Sequence, residues 1–359
     1  MTGCEDDGLF LTEEFIRRYF PMAELPPAEL NGCLEFAARI RQDSLLRQTA
    51  LSLYRNYLAK SSLHGEEVDG FGPETGLLNL LLALGLIPAI EMRMRQDRIP
   101  IDYARAAARR IGALRFSFGQ LCPERFGIRT RSLPFLLNYK NEPMFRIGRF
   151  DFLLIRNNDV LPEIYHKNGE VIAWSRDEWL LDSAGHRIAE PAESDCRRGR
   201  RRINLERGLA EIGDDIFPDD LKPAVKDDDW GLFFHIPGGE PMTLPYCIES
   251  FADALIFFRK HYPEKPIQFI YSNSWIFNPA WLEYIPQGNL AALIRHGHLF
   301  PAISTGREGL YFVFGRDDGT IDDYQAVNSM QRAMLRCWRD YGTLERFGFF
   351  LLPDEIAVK

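Results

Sequence analysis

The apolar run WGLFFHIP carries His235 near its end, and Gly238 and Gly239 follow it ahead of the helix-patterned segment CIESFADALIFFRKHYP. The first turn of a helix carries unpaired N–H groups and the positive end of the helix dipole, so a helix start behind two glycines is a site that an anion such as a pyrophosphate can approach closely. Two glycines before a helix are also ordinary turn chemistry. His296 and His298 are spaced to share one face of a strand, with His235 and Glu240 as conceivable further metal ligands, but spacing sets no third ligand. The plainer reading is two histidines at the polar end of a strand, and no metal is expected. Arg197, Arg198, Arg200, Arg201 and Arg202 could bind phosphate or RNA. The acidic DDIFPDD and KDDD that follow favour a solvated, charge-balanced insertion over residues 190–228. No GxSxG elbow and no Rossmann or Walker glycine pattern occurs.

The elements that must position these residues are legible in the periodicity. Trp230, Leu232, Phe234 and Ile236 alternate with Phe233 and His235, which predicts a buried strand ended by Pro237. Ile248, Phe251, Leu255 and Phe258 form one helical face, with Pro245 in the first turn and Arg259, Lys260 and His261 in the last. PIQFIYSNSW predicts a second strand, with Ser272 and Ser274 on one side. Strand, glycine-bearing loop, helix and strand make a βαβ crossover, right-handed by default. Trp275 fits a core position.

Upstream, residues 1–130 read as an all-helical module. Thr12 caps a first helix that Pro21 stops, Ala28 to Lys60 carries an amphipathic stripe, Leu77 to Ile90 suits a buried core helix, and Asp102 caps a helix through Leu114. From Met144 the period falls to two. MFRIGRFDFLLI is strand-like, Asn168-Gly169 marks a type I′ hairpin, and WLLDSAGHRI marks another, predicting an antiparallel meander over residues 144–190. LYFVFGR reads as a strand, Asn328 with Gln331 opens a helix ended by Gly342, and ERFGFFLLP adds a closing strand.

Length and composition bound the function. At 359 residues, with 46% hydrophobic and 26% charged side chains, the chain is large enough for two domains with full cores. A net charge of -8 argues against a general nucleic-acid binder. The six cysteines lack CxxC spacing, which suits neither a zinc knuckle nor a disulfide framework. The acidic MTGCEDDG start and the short, interrupted apolar run lead to the expectation of a cytoplasmic protein with no membrane partner.

HIPGGEPMTLPYCIESFADALIFFRKHYPEKPIQFIYSNSWIFNPAWLEYIPQGNLAAL resembles the bacterial acyltransferase-domain proteins that join a helical N-terminal domain to a GNAT-like C-terminal domain. MFRIGRFDF matches that family's Arg-x-Gly-Arg strand, and FVFGRDD with NSMQRAMLRCWRDYG its last strand and helix. The resemblance covers most of residues 140–350. It implies a helical domain (1–130) followed by a mixed α/β, GNAT-like domain (131–359) with a largely antiparallel sheet. It also implies an acyl-CoA co-substrate whose pantetheine lies between the splayed central strands, residues 230–236 and 267–274, and whose pyrophosphate lies on the turn Pro237 to Thr243. On that basis the amides near His235 and Ile236 polarise the acyl carbonyl, and Gly238, Gly239 and Thr243 meet the phosphates. Ser272 and Ser274 bind ligand or satisfy local backbone. His235 is the candidate base and Tyr284 the candidate proton donor to the departing thiolate, each with a purely structural alternative. The implied activity is acyl transfer to an amine or similar small acceptor by direct attack; the alternative is a non-catalytic GNAT-like module that binds a ligand or a protein. Two departures accompany the resemblance. PGGEPMT does not match the usual phosphate loop of Arg or Gln, two residues, Gly, one residue, then Gly or Ala, and the two helices that usually interrupt the early strands are not evident.

Overall fold

The computed structural model describes residues 8–60, 64–190, 196–213, 217 and 221–356. The chain divides into two compact units, one comprising Met1–Arg146 with Pro237–Gly239 and the other Ile147–Ile236 with Glu240–Lys359.

The first unit is helical. Thr12 caps α1 (Glu13–Tyr19), accepting from the Phe15 amide at 3.3 Å, and a 3-10 turn begins at Pro21. α2 (Leu30–Gln42) buries Cys33, Phe36, Ala37 and Ile40. α3 (Ser44–Leu58) is capped by Asp43, whose carboxylate accepts from the amides of Leu45 and Leu46 at 2.9 and 3.0 Å. α4 (Thr75–Gln96) lies in the stretch Gly72–Gln96, which by length and composition alone could cross a membrane. Inside the protein 78% of its most apolar window is buried, and fully buried Asn79 donates to the Ile128 carbonyl and to Thr130 Oγ1 at 3.2 and 3.1 Å. α5 (Asp102–Leu121) corrects the expected cap: Asp102 is the first helical residue, behind Ile101, and its carboxylate pairs with Arg105 at 3.0 Å. An acid in the first turn still complements the dipole. α6 (Leu133–Asn141) carries the helical region to Asn141.

The strands follow. β1 (Met144–Ile147) and β2 (Phe150–Arg156) replace the single run expected over MFRIGRFDFLLI. The chain turns at Gly148, with φ of 53°, where a Cβ would lie 2.3 Å from Ser250 Oγ. That hydroxyl accepts from the Arg149 amide and donates to the Tyr246 carbonyl, both at 2.7 Å. β3 (Glu163–Lys167) and β4 (Glu170–Trp174) form the hairpin at Asn168-Gly169, with φ of 54° and 86°. β5 (Leu180–Leu181) and β6 (Arg187–Ile188) form the next. After β7 (Arg202–Asn204), β8 (Leu209–Ala210) and β9 (Lys222–Pro223), the central unit runs β10 (Trp230–His235), α7 (Leu244–His261) and β11 (Ile267–Ser274). The chain ends with α8 (Trp281–Tyr284), α9 (Asn289–His296), β12 (His298–Pro301), α10 (Leu310–Phe314), α11 (Ser329–Tyr341) and β13 (Phe347–Leu351).

Among the described residues, six strands form a mixed sheet in the order β1-β2-β10-β11-β13-β12, and five form an antiparallel sheet in the order β8-β7-β4-β3-β9. The expected meander is thus divided: β1 and β2 enter the mixed sheet, β3 and β4 the second sheet, and β5 and β6 pair with each other. The charged stretch is no solvated insertion throughout, because β7 to β9 complete the second sheet and Ile203 and Val225 enter its core. Arg200 pairs with Glu163 at 2.9 Å and lies over the Phe217 ring at 4.5 Å. LYFVFGR, expected as a strand, contains the short helix α10 between left-handed Gly309 and Gly315.

The mixed sheet is covered on both faces. On one, Phe251 of α7 stacks on Phe150 at 5.0 Å and meets Phe234 edge-on at 5.1 Å. The buried stripe of α7 is Cys247, Ser250, Phe251, Ala254, Phe257 and Phe258, while the expected Ile248 and Leu255 are only half-buried. On the other face, Phe269, Tyr271, Phe300 and Phe350 share a core with Trp179, Ile164 and Ile203 of the second sheet region. β10 and β11 are parallel, as a βαβ unit requires. Gly231 of β10 is paired with Phe269 of β11, and a Cβ there would stand 2.2 Å from the Phe269 ring. The glycine is therefore the recess that lets the ring lie flat across its neighbour. Gly231→Ala should cost about 1–3 kcal/mol by urea denaturation, the range for overpacking, and much less in a Phe269→Ala background. Equal losses in both backgrounds would remove this account.

Candidate functional site

The site is built from the C-terminal ends of β10 and β11, the position where parallel sheets place ligands. Their ladder runs from Trp230↔Ile267 to Phe233↔Tyr271 and stops. β10 continues through Phe234 to His235, paired on its outer side with β2, where His235 faces Asp151. β11 continues through Ser272 and Asn273 to Ser274, held on its outer side by β13, where Ser274 faces Phe347. The central strands thus part from each other while each stays anchored to its other neighbour. Over the parted length, backbone N–H and C=O groups that would otherwise join the two strands are directed between them.

Side chains around the parting are sorted by parity. Phe234 is fully buried among Phe150, Phe277 and Phe349, with ring centroids 4.9, 5.9 and 6.0 Å away. His235 is half-buried on the opposite face, edge-on to Phe233 at 4.6 Å, and Phe233 in turn meets Tyr271 at 4.9 Å. Burial pushes the Tyr271 phenol up to about 12, so it stays a neutral hydroxyl at physiological pH. Asp151 is completely buried at the position across from His235. Sequence reasoning missed Asp151 and Tyr271. The available signal for Asp151 was a carboxylate inside the apolar run FDFLLI.

Beyond His235 come half-buried Ile236 and buried Pro237, then exposed Gly238 and Gly239. A Cβ at either glycine would meet nothing within 4 Å, and Gly239 has φ of 96°. Thr243 is the N-cap residue of α7, yet its side chain makes no capping hydrogen bond. The first-turn amides of this 18-residue helix are therefore not taken up by that side chain. Cys247, one turn in, is buried and its thiol is pushed up to about 11, with burial dominant and Arg149 opposing it, so it offers no thiolate nucleophile near neutrality.

The remaining candidates are placed as follows. Ser272 is buried, and Ser274 accepts from the Ile276 amide at 3.3 Å, capping the 3-10 turn Trp275–Phe277. Trp275 is half-buried and meets Trp281 edge-on at 6.2 Å. Tyr284 lies on α8 with its hydroxyl donating to Asp340 of α11 at 2.5 Å. Desolvation first, and then the Asp340 hydrogen bond and charge, hold that phenol well above the ordinary tyrosine range. His296 and His298 do not share a strand: His296 ends α9, while His298 opens β12 and is bonded to Glu355 at 2.5 Å. Among the described residues no group of three or more His, Cys, Asp and Glu side chains is arranged to hold a metal ion.

Three solved structures share this fold. An acyltransferase in complex with decanoyl-CoA and teicoplanin has 16% identity and a TM-score of 0.62, covering 94% of this chain and 87% of its own. An acyltransferase in complex with CoA and 10C-teicoplanin has 15% identity and a TM-score of 0.62, with the same coverage of 94% and 87%. An acyltransferase in complex with decanoyl-CoA has 14% identity and a TM-score of 0.61, again covering 94% and 87%. At these identities the likeness is one of fold. No curated protein sequence matches the chain significantly. The model of the GNAT-like C-terminal domain matches residues 144–348, which hold every strand named above but the final residues of β13. With that match spanning more than half of its length, the chain belongs to the GNAT-like C-terminal domain family.

Proposed function

We propose that the protein is an acyl-CoA-dependent acyltransferase that passes an acyl group to an amine or similar small acceptor by direct attack. The observation that carries this reading is the end of the β10–β11 ladder at Phe233↔Tyr271, with both strands running on beyond it. A pantetheine is an extended, amide-bearing chain that can take the place of the missing strand partner. The solved acyltransferases of the same fold that hold CoA or decanoyl-CoA support the choice of ligand. Gly238, Gly239 and the first turn of α7, from Thr243 onward, would receive the pyrophosphate.

The chemistry then follows from the placed groups. A backbone N–H near His235 or Ile236 donates a hydrogen bond to the developing oxyanion, the stabilisation that is often the largest catalytic contribution. His235 takes the proton lost by the attacking amine, the general-base role for which an imidazole is suited. The acceptor nitrogen bonds to the acyl carbon, the carbon–sulfur bond breaks, and the thiolate requires a proton. Tyr284 in its present bond to Asp340 is a weaker acid than a free phenol, so its part in that last step requires release from the carboxylate.

The first test is thermal unfolding with CoA, acetyl-CoA and decanoyl-CoA, followed by thiol release in the presence of an amine panel. Ligand at about a hundred times its dissociation constant contributes about 2.7 kcal/mol, so the midpoint should rise by several degrees. No shift with any CoA species would move the reading to the non-catalytic binding module. Gly238→Trp adds a ring where the backbone φ is ordinary and space is open, and should weaken CoA affinity at least about tenfold without changing the unliganded melting temperature. Unchanged affinity would remove the phosphate assignment. His235→Ala should lower turnover by about 10²–10⁴ with acyl-CoA binding retained; parallel loss of stability and activity would make the histidine structural.

A further inference from the structure

We propose that Asp151 is the positioning residue for His235: a buried carboxylate on the neighbouring antiparallel strand that orients the imidazole and raises its basicity. This deepens the acyltransferase reading, since it assigns a role to a residue of the same site. Asp151 and His235 are direct partners in the β2–β10 ladder. Directly opposed residues on antiparallel strands place their side chains on the same face, with Cβ atoms about 4.5–5.5 Å apart, within reach of an aspartate and an imidazole. The flanking pairs confirm the parity, because Leu153 faces Phe233 and Ile155 faces Gly231 along the same ladder. Ile155 and Phe233 pack on the core beneath the second sheet, so Asp151 and His235 extend that face toward the end of the strands.

Asp151 is 0% exposed, and it interrupts FDFLLI, where the alternation that brings Leu153 and Ile155 to this face would be served by any apolar residue. Placing a carboxylate there is expensive unless it meets a cation or donors. Of the groups that can carry positive charge, one precedes it closely in sequence and one stands across the ladder. Arg149, also buried, precedes it by two residues, and its charge acts on Cys247 of α7. His235 is the one directly opposite and the one at the open end of β10. A carboxylate beside one ring nitrogen fixes the tautomer, leaving the other nitrogen to take a proton, and stabilises the imidazolium that results. A histidine in this setting receives the acceptor's proton without moving.

The test uses the full chain and ¹⁵N-histidine NMR, with His235→Gln identifying the His235 signals. Asp151→Asn keeps the side-chain shape and removes the charge. The His235 midpoint should fall by about one pH unit, and its ring ¹⁵N shifts should report loss of the single preferred tautomer. In the transfer assay the variant's kcat should fall about 10–100-fold with KM for acyl-CoA within about twofold of wild type, and the acidic limb of the kcat profile should move to lower pH with the His235 midpoint. An unmoved midpoint and an unmoved profile in a folded variant overturn the proposal and assign Asp151 to Arg149 alone. A moved midpoint in a chain that shows no acyl transfer retains the pair and removes the acyltransferase reading instead. Should Asp151→Asn fail to fold, wild-type ¹⁵N shifts decide: a mixture of both neutral tautomers at His235 overturns the proposal, and one tautomer with a midpoint above the free-histidine value supports it.

Discussion

The parallel pairing of β10 with β11 is the constraint on which the second unit depends, and its most informative property is where it ends. It joins only Trp230–Phe233 to Ile267–Tyr271, yet both strands continue with outer partners, His235 against Asp151 and Ser274 against Phe347. A sheet interior without a ladder leaves backbone groups to be satisfied by something other than the neighbouring central strand. The outer ladders matter equally, because they hold the two strand ends apart in defined places.

Side chains pack on both faces of that arrangement. α7 lays Phe251 against Phe150 and Phe234, and Ser250 clasps the β1–β2 turn through the Arg149 amide. The opposite face is closed by a second sheet, so Phe233 and Tyr271 have a wall behind them. Glycines are used as recesses in this packing: Gly231 under Phe269 and Gly348 under Phe300, whose ring would lie 2.1 Å from a Cβ. The local strand preference of glycine is poor, and its presence here is explained by the ring beside it.

Local signals were legible wherever one residue and its neighbours in sequence decide the outcome. The Thr12 and Asn328 caps, the Asn168-Gly169 turn, the Gly342 helix end and the β10–α7–β11 order all follow from short-range chemistry. Errors fell where two local readings were equally good. LYFVF alternates no better than it winds, and flanking glycines with positive φ resolved it as helix. Arg200 looked like part of a solvated basic patch, but Glu163 and Phe217, distant in sequence, give it partners.

The sequence by itself determined the fold class, the helical region followed by a mixed sheet, and the order in which a strand ending at His235, a loop with Gly238 and Gly239, and a helix follow one another. These follow from periodicity, capping and turn chemistry, which act over a few residues. Only the tertiary structure decided that the early strands divide between sheets, that the two histidines at 296 and 298 belong to different elements, that Tyr284 is held by Asp340, and that Asp151 stands opposite His235. Each of these depends on strand order and register between segments far apart in the chain. An alternating pattern says which residues share a face, but it is silent on which strand lies alongside.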